Sequence, residues 1–159
     1  MSAAARPFVI PLSAASARLL SFAVYAALLL GCLGVAVGED PSRAAMVATS
    51  VLKLAGLLGA VILFLSGYGQ LSQRAEAELD EREIAVRNRA YVRTHQIMIA
   101  TLFAGFLWIT LADRMGWWLP GASSAADLVT AFAFGAMALP AAILAWRDRS
   151  DAAEPDLET

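Results

Sequence analysis

Four times along this chain of 159 residues, an apolar stretch continues for the length of a membrane crossing. The stretches lie at about 19–38 (LLSFAVYAALLLGCLGVAVG), 45–68, 94–112 and 128–146. A helix rises 1.5 Å per residue, so about 20 residues cross a hydrocarbon layer about 30 Å thick. An unpaired backbone N–H or C=O in lipid costs several kcal/mol, and a helix satisfies its own ladder. Strands of a membrane barrel would alternate apolar and polar residues, and no such alternation is present. Composition agrees, at 59% hydrophobic and 16% charged, against about 45–50% and about 25% in soluble domains. The reading is therefore all-α: a polytopic membrane protein built as a four-helix transmembrane bundle.

The first stretch could also be a signal peptide, with Ala36 and Gly38 as small residues near a cleavage site and Glu39 as the new N-terminus. Signal cores are about 7–15 residues long, and this run is longer. It is read as a span, preceded by a tail over 1–18 that holds two prolines and is expected to be irregular or interfacial.

Basic residues orient the spans, because they resist export. Arg6 and Arg18 precede the first span, Arg74, Arg82, Arg87, Arg89 and Arg93 lie between the second and third, and Arg147 and Arg149 follow the fourth. Only Arg43 and Arg114 fall on the other face. The termini and middle segment are thus expected in the cytoplasm. Tyr68, Tyr91 and Trp146 then mark the inner boundary, and Trp117 and Trp118 the outer one. The tail over 148–159 is acidic and contains Pro155, and it reads as disordered.

The middle segment, 70–93, is rich in good helix formers. Glu78 precedes Arg82 and Glu83 precedes Arg87 at the favourable i,i+4 spacing, and acids lie early with arginines late. The expectation is a helix from about Ser72, projecting roughly 30 Å at 1.5 Å per residue and able to continue into the third span. Its charged residues, Asp80, Glu81, Arg82, Glu83, Arg87, Arg89 and Arg93, form either a docking surface or a solvated face held to anionic headgroups. Nucleic acid is an unsuitable partner, because five acids interleave with the arginines.

LDERExxxRNRA, from Leu79 to Ala90 and leading straight into an apolar span, resembles a motif of small uncharacterised bacterial membrane proteins. Those are also chains of about four spans with an acidic-then-arginine stretch between the second and third. The resemblance covers about a dozen residues and the layout. It implies a bacterial inner membrane setting, and it implies no reaction and no site residue.

Inside the spans, Lys53 stands out, since intramembrane charge is costly and marks functional suspects. It can snorkel to the outer headgroups or pair with an outer acid. Asp127 is the best placed, with Glu39, Asp40 and Asp113 as alternatives. Gly31, Gly34 and Gly38, with Gly56 and Ala60 on the next span, give small-residue spacings that allow close helix approach, within the chain or between copies. Pro140 is expected to kink the fourth span by leaving the carbonyl of Ala136 without a donor. His95 and Gln96 sit at the inner mouth of the third span.

No GxSxG, HExxH, P-loop or CxxC pattern occurs, so no catalytic residue is assigned. A single cysteine, Cys32, excludes an intrachain disulfide. With one histidine besides, a His/Cys metal site is not expected, and no cofactor is implied. Two functions survive. One is a non-enzymatic binding, regulatory or scaffold protein, using the middle helix to hold the bilayer, a second copy or another protein. The alternative is a component of a small oligomeric transporter or channel, although no Asp or Glu lies deep in a span to carry protons.

Overall fold

The computed structural model describes residues 9–36, 42–76 and 79–148, apart from the side chains of 33–36 and Asp113. Five helices follow in order: α1 (Ala14–Ala36), α2 (Arg43–Leu65), α3 (Gly67–Gln73), α4 (Glu81–Met115) and α5 (Ala122–Arg147). The fold is all-α. Helices α1, α2, α4 and α5 are each long and apolar enough to cross a membrane.

The packing follows from where the small residues lie. Val24, Leu28, Ala60, Leu63 and Ala138 form a core between α1, α2 and α5, flanked by Leu20, Leu57, Ala131 and Phe134. Alanines at 138, 141, 142 and 145 bury the inner face of α5. Large side chains such as Phe22, Leu29, Val51, Leu58, Phe103 and Phe106 point outward. In water, such continuous apolar cover would drive association. Small residues inside and large ones outside are the arrangement expected of helices packed in lipid.

Helices α1 and α2 approach closely at glycine. A Cβ on Gly56 would lie 2.8 Å from the Leu28 side chain and 3.1 Å from its backbone N. One on Gly59 would lie 2.5 Å from Val24 Cγ2. Gly31, Gly56 and Ala60 therefore serve packing within the chain. Gly34 belongs to α1, and Gly38 lies outside the described residues. Gly59 completes this contact and was not singled out from the small-residue spacings.

The second span was expected to reach position 68, but the helix stops at Leu65. Ser66 adopts φ −71° and ψ 167° and serves both as C-cap of α2 and N-cap of α3. Its hydroxyl donates to Leu63 O at 2.6 Å and accepts from Gly69 N at 3.4 Å. Ile10 N donates to Leu65 O at 3.1 Å. These bonds satisfy groups that the helix end leaves open. The N-terminal tail is therefore partly ordered, with Ile10 beside Ser66 and α1 beginning four residues before Arg18.

The middle segment is also not one helix from Ser72. Ser72 and Gln73 end α3, and the chain leaves helical geometry at Arg74 (φ −62°, ψ 145°). Helix α4 begins only at Glu81, because Asp80 and Glu83 form a reciprocal capping box. Glu83 N donates to Asp80 Oδ1 at 2.8 Å, and Asp80 N donates to Glu83 Oε2 at 3.2 Å. From there α4 runs unbroken for 35 residues, through the third span to Met115. Its portion before Thr94 is about 20 Å long at 1.5 Å per residue, shorter than expected. Gly116 ends it in the left-handed conformation, φ 66°. Pro140 is buried within α5, which continues through it to Arg147. Tyr25 donates its hydroxyl to Gly135 O at 2.8 Å, one residue before the carbonyl that Pro140 leaves open.

At Gly69 a Cβ would fall 2.0 Å from Phe64 O and 2.8 Å from Leu63 O, both backbone atoms that cannot yield. Gly67 has open space around its Cβ position. Gly69→Ala should therefore cost about 3 kcal/mol or more, beyond ordinary overpacking. Gly67→Ala should stay within about 0.5 kcal/mol. Thermal unfolding of the two variants in one detergent checks this, and equal Tm losses would contradict it.

Candidate functional site

Three groups of polar side chains hold the helices together or sit between them. The first joins α2 to α5. Lys53 lies in the third turn of α2, and its Nζ is 2.5 Å from Asp127 Oδ2 in the second turn of α5. The lysine stem passes α1 at Gly31, where a Cβ would sit 2.6 Å from Lys53 Cγ and 3.1 Å from Lys53 N. A glycine on α1 thus makes room for a cation from α2 to reach an anion on α5. Side-chain exposures of 21% for Lys53 and 42% for Asp127 make the pair half-buried. A cavity of about 220 Å³ adjoins it, lined also by Ser50, Thr130, Leu54 and Leu57. Of the other acids weighed for Lys53, Glu39 and Asp40 lie outside the described residues, as does the side chain of Asp113.

The second group anchors the foot of α4. Arg87 is 7% exposed. It donates through Nη1 to Arg74 O at 2.7 Å and through Nη2 to Glu76 Oε1 at 2.8 Å. Tyr91 donates to Ser72 O at 2.7 Å. Arg87 was expected on the headgroup or docking surface beside Glu83. It turns inward instead, because the helix break at Arg74 leaves a carbonyl that a guanidinium can satisfy. Asp80 and Glu83 pair with each other in the capping box, at the exposed start of the helix. Arg87, Ala90 and Thr94 form the buried seam of α4. Arg82, Arg89 and Arg93 are exposed, as is Glu81.

The third group joins α1 to the end of α5. Arg18 donates from Nε to Ala145 O at 2.9 Å and from Nη2 to Asp148 O. Trp146 donates to Ser21 Oγ at 2.9 Å, and Tyr68 donates to Asp148 Oδ2 at 2.8 Å. A cation on the last carbonyls also suits the helix dipole. From sequence, Arg18 was one more orienting charge, and its role as a cap depends on a helix far away in the chain.

Between α2, α3, α4 and α5 lies a cavity of about 310 Å³. Ser72, Gln73, Tyr91, Thr94 and His95 supply its polar lining. Phe64, Met98, Met137 and Pro140 supply its apolar lining, with Ala136 beside them. Thr94 is 5% exposed, and its hydroxyl has no hydrogen-bond partner. Among the described residues, no three His, Cys, Asp or Glu side chains converge as metal ligands would.

Comparison of the chain with family models, with curated proteins and with solved structures finds no match.

Exposed ion pairs contribute about 0–1 kcal/mol, and breaking a buried one costs about 3–5 kcal/mol. The half-buried Lys53–Asp127 pair should fall between, at about 1–2 kcal/mol of coupling. Lys53→Glu should lower stability and accumulation in the membrane, and adding Asp127→Lys should restore a large part. A double-mutant cycle on Tm measures the coupling, and additive losses would mean that the contact contributes nothing. At the foot of α4, Arg87→Ala should cost about 1–3 kcal/mol, through two lost charge-assisted hydrogen bonds and the packing of a buried stem. Arg89→Ala should change stability by less than about 0.5 kcal/mol. Limited proteolysis at 74–80 should rise only in the former.

Proposed function

We propose that this chain is a non-enzymatic membrane protein that binds or scaffolds another protein through the first turns of α4. We place it in a bacterial inner membrane, with both termini and that foot of α4 in the cytoplasm. The observation that carries the reading is the division of α4 into two faces. Arg87, Ala90 and Thr94 are buried in a seam, while Arg82, Arg89, Arg93 and Gln96 lie exposed along the helix. The capping box and the Arg87 anchor hold the helix start in place, so the exposed arginines stand on a rigid support. A rigid cationic ridge suits an acidic surface on a protein, since preorganised side chains lose less entropy on binding.

The cytoplasmic placement rests on the nine basic residues on that face against two on the other. The bacterial setting rests on the LDERExxxRNRA resemblance. Transport receives less support. The charge of Lys53, the residue an anion path would use, is compensated by Asp127, and the strongest polar contacts tie helices to one another.

Arg82→Glu, Arg89→Glu and Arg93→Glu together should reduce crosslinked protein partner in native membranes at least about tenfold, each mismatched contact being worth about 1 kcal/mol or more. Insertion, read by a C-terminal reporter, should be unchanged. Undiminished crosslinking would make the ridge an ordinary solvated face. Adducts between two copies of the chain would identify the partner as itself.

A further inference from the structure

We propose that the cavity between α2, α3, α4 and α5 is a binding site for one anionic membrane phospholipid. This rests on the membrane placement of the helices and is independent of whether α4 binds a protein. The cavity is polar at one end and apolar at the other. Gln73, Thr94 and His95 line it on the side where α3 ends and the chain turns towards Glu81. Phe64, Met98 and Pro140 line the remainder, about a turn further along the apolar helices.

That gradient matches the glycerol-ester region of a phospholipid continuing into an acyl chain. A volume of about 310 Å³ is at the low end for small-molecule sites, about 300–1,000 Å³. It suits this portion of a lipid rather than a whole one. One polar side chain in the wall is left over by the fold. Thr94 carries a buried hydroxyl without a partner. Buried polar groups are ordinarily paired, and a lipid ester carbonyl could accept from Thr94 once its hydroxyl turns inward. Arg74, exposed and directly after Gln73, places a cation beyond the polar end, where the phosphate would emerge. A cation there selects an anionic headgroup over a zwitterionic one.

The test uses the full chain in nanodiscs containing phosphatidylglycerol with a diazirine on the acyl carbons next to the ester. Photolysis followed by peptide mass spectrometry should place adducts on Phe64, Met98 and Met137, several-fold above those on outward-facing Leu102, Phe103 and Phe106. The same probe on phosphatidylcholine should label the cavity at least threefold less. Native mass spectrometry should show one retained phosphatidylglycerol on the wild type. Ala136→Leu, which fills the cavity, should remove it. Labelling spread evenly over the outward-facing residues would overturn the proposal, as would equal labelling by the two headgroups. The labelling of the unsubstituted protein decides the matter even if Ala136→Leu does not fold.

Discussion

A helix end among apolar surroundings must find partners for the carbonyls and amides that its ladder leaves open, and most of this structure is arranged around that requirement. At the α2–α3 junction the partners are the hydroxyl of Ser66 and the amide of Ile10. At the end of α5 they come from Arg18, and where α3 ends they come from Arg87. In water, solvent would supply these bonds at little cost. Here Arg18 and Arg87 reach across from other helices, so the ends of α5 and α3 are also joints between helices.

These joints explain why the four long helices are unequally held. Helices α1, α2 and α5 share one core and are further tied by Arg18, Tyr25 and the Lys53–Asp127 pair. Helix α4 is the least buried of the four. It rests along α5 and is fastened mainly at its start, through Arg87 and Tyr91. Two turns before its end Trp108 lies tilted against Trp117 of the following loop, with ring centroids 5.3 Å apart, and donates to Trp118 O. The larger of the two cavities lies beside that anchored start, at Tyr91, Thr94, His95 and Met98.

The amino-acid sequence made the number, length and helical nature of the spans legible, because hydrocarbon thickness and backbone pairing leave few alternatives. The closeness of Lys53 to Asp127 was open to inference from the cost of an unpaired charge, although the sequence alone favoured snorkelling. Gly31 and Gly56 were visible as close-approach residues, but which helices they bring together was not. The break at Ser66 was hidden by apolar residues on both sides, and only the Ser-Gly-Tyr-Gly run hinted at it. The inward turn of Arg87 could not be read at all. Helical spacing put it on the same charged strip as Glu83, whereas its partners are a carbonyl and an acid more than ten residues earlier in the chain.

The span of 74 residues between Lys53 and Asp127 has a consequence for biogenesis. Ribosomes add about 5–20 residues per second, so the acid follows the base into the insertion machinery after an interval of about 4–15 seconds. If the second helix enters the bilayer within that interval, its ammonium is there without Asp127, and the flexible stem allows it to reach towards the headgroups. Snorkelling and pairing are then successive states of one side chain, and the arrival of the last helix converts the first into the second.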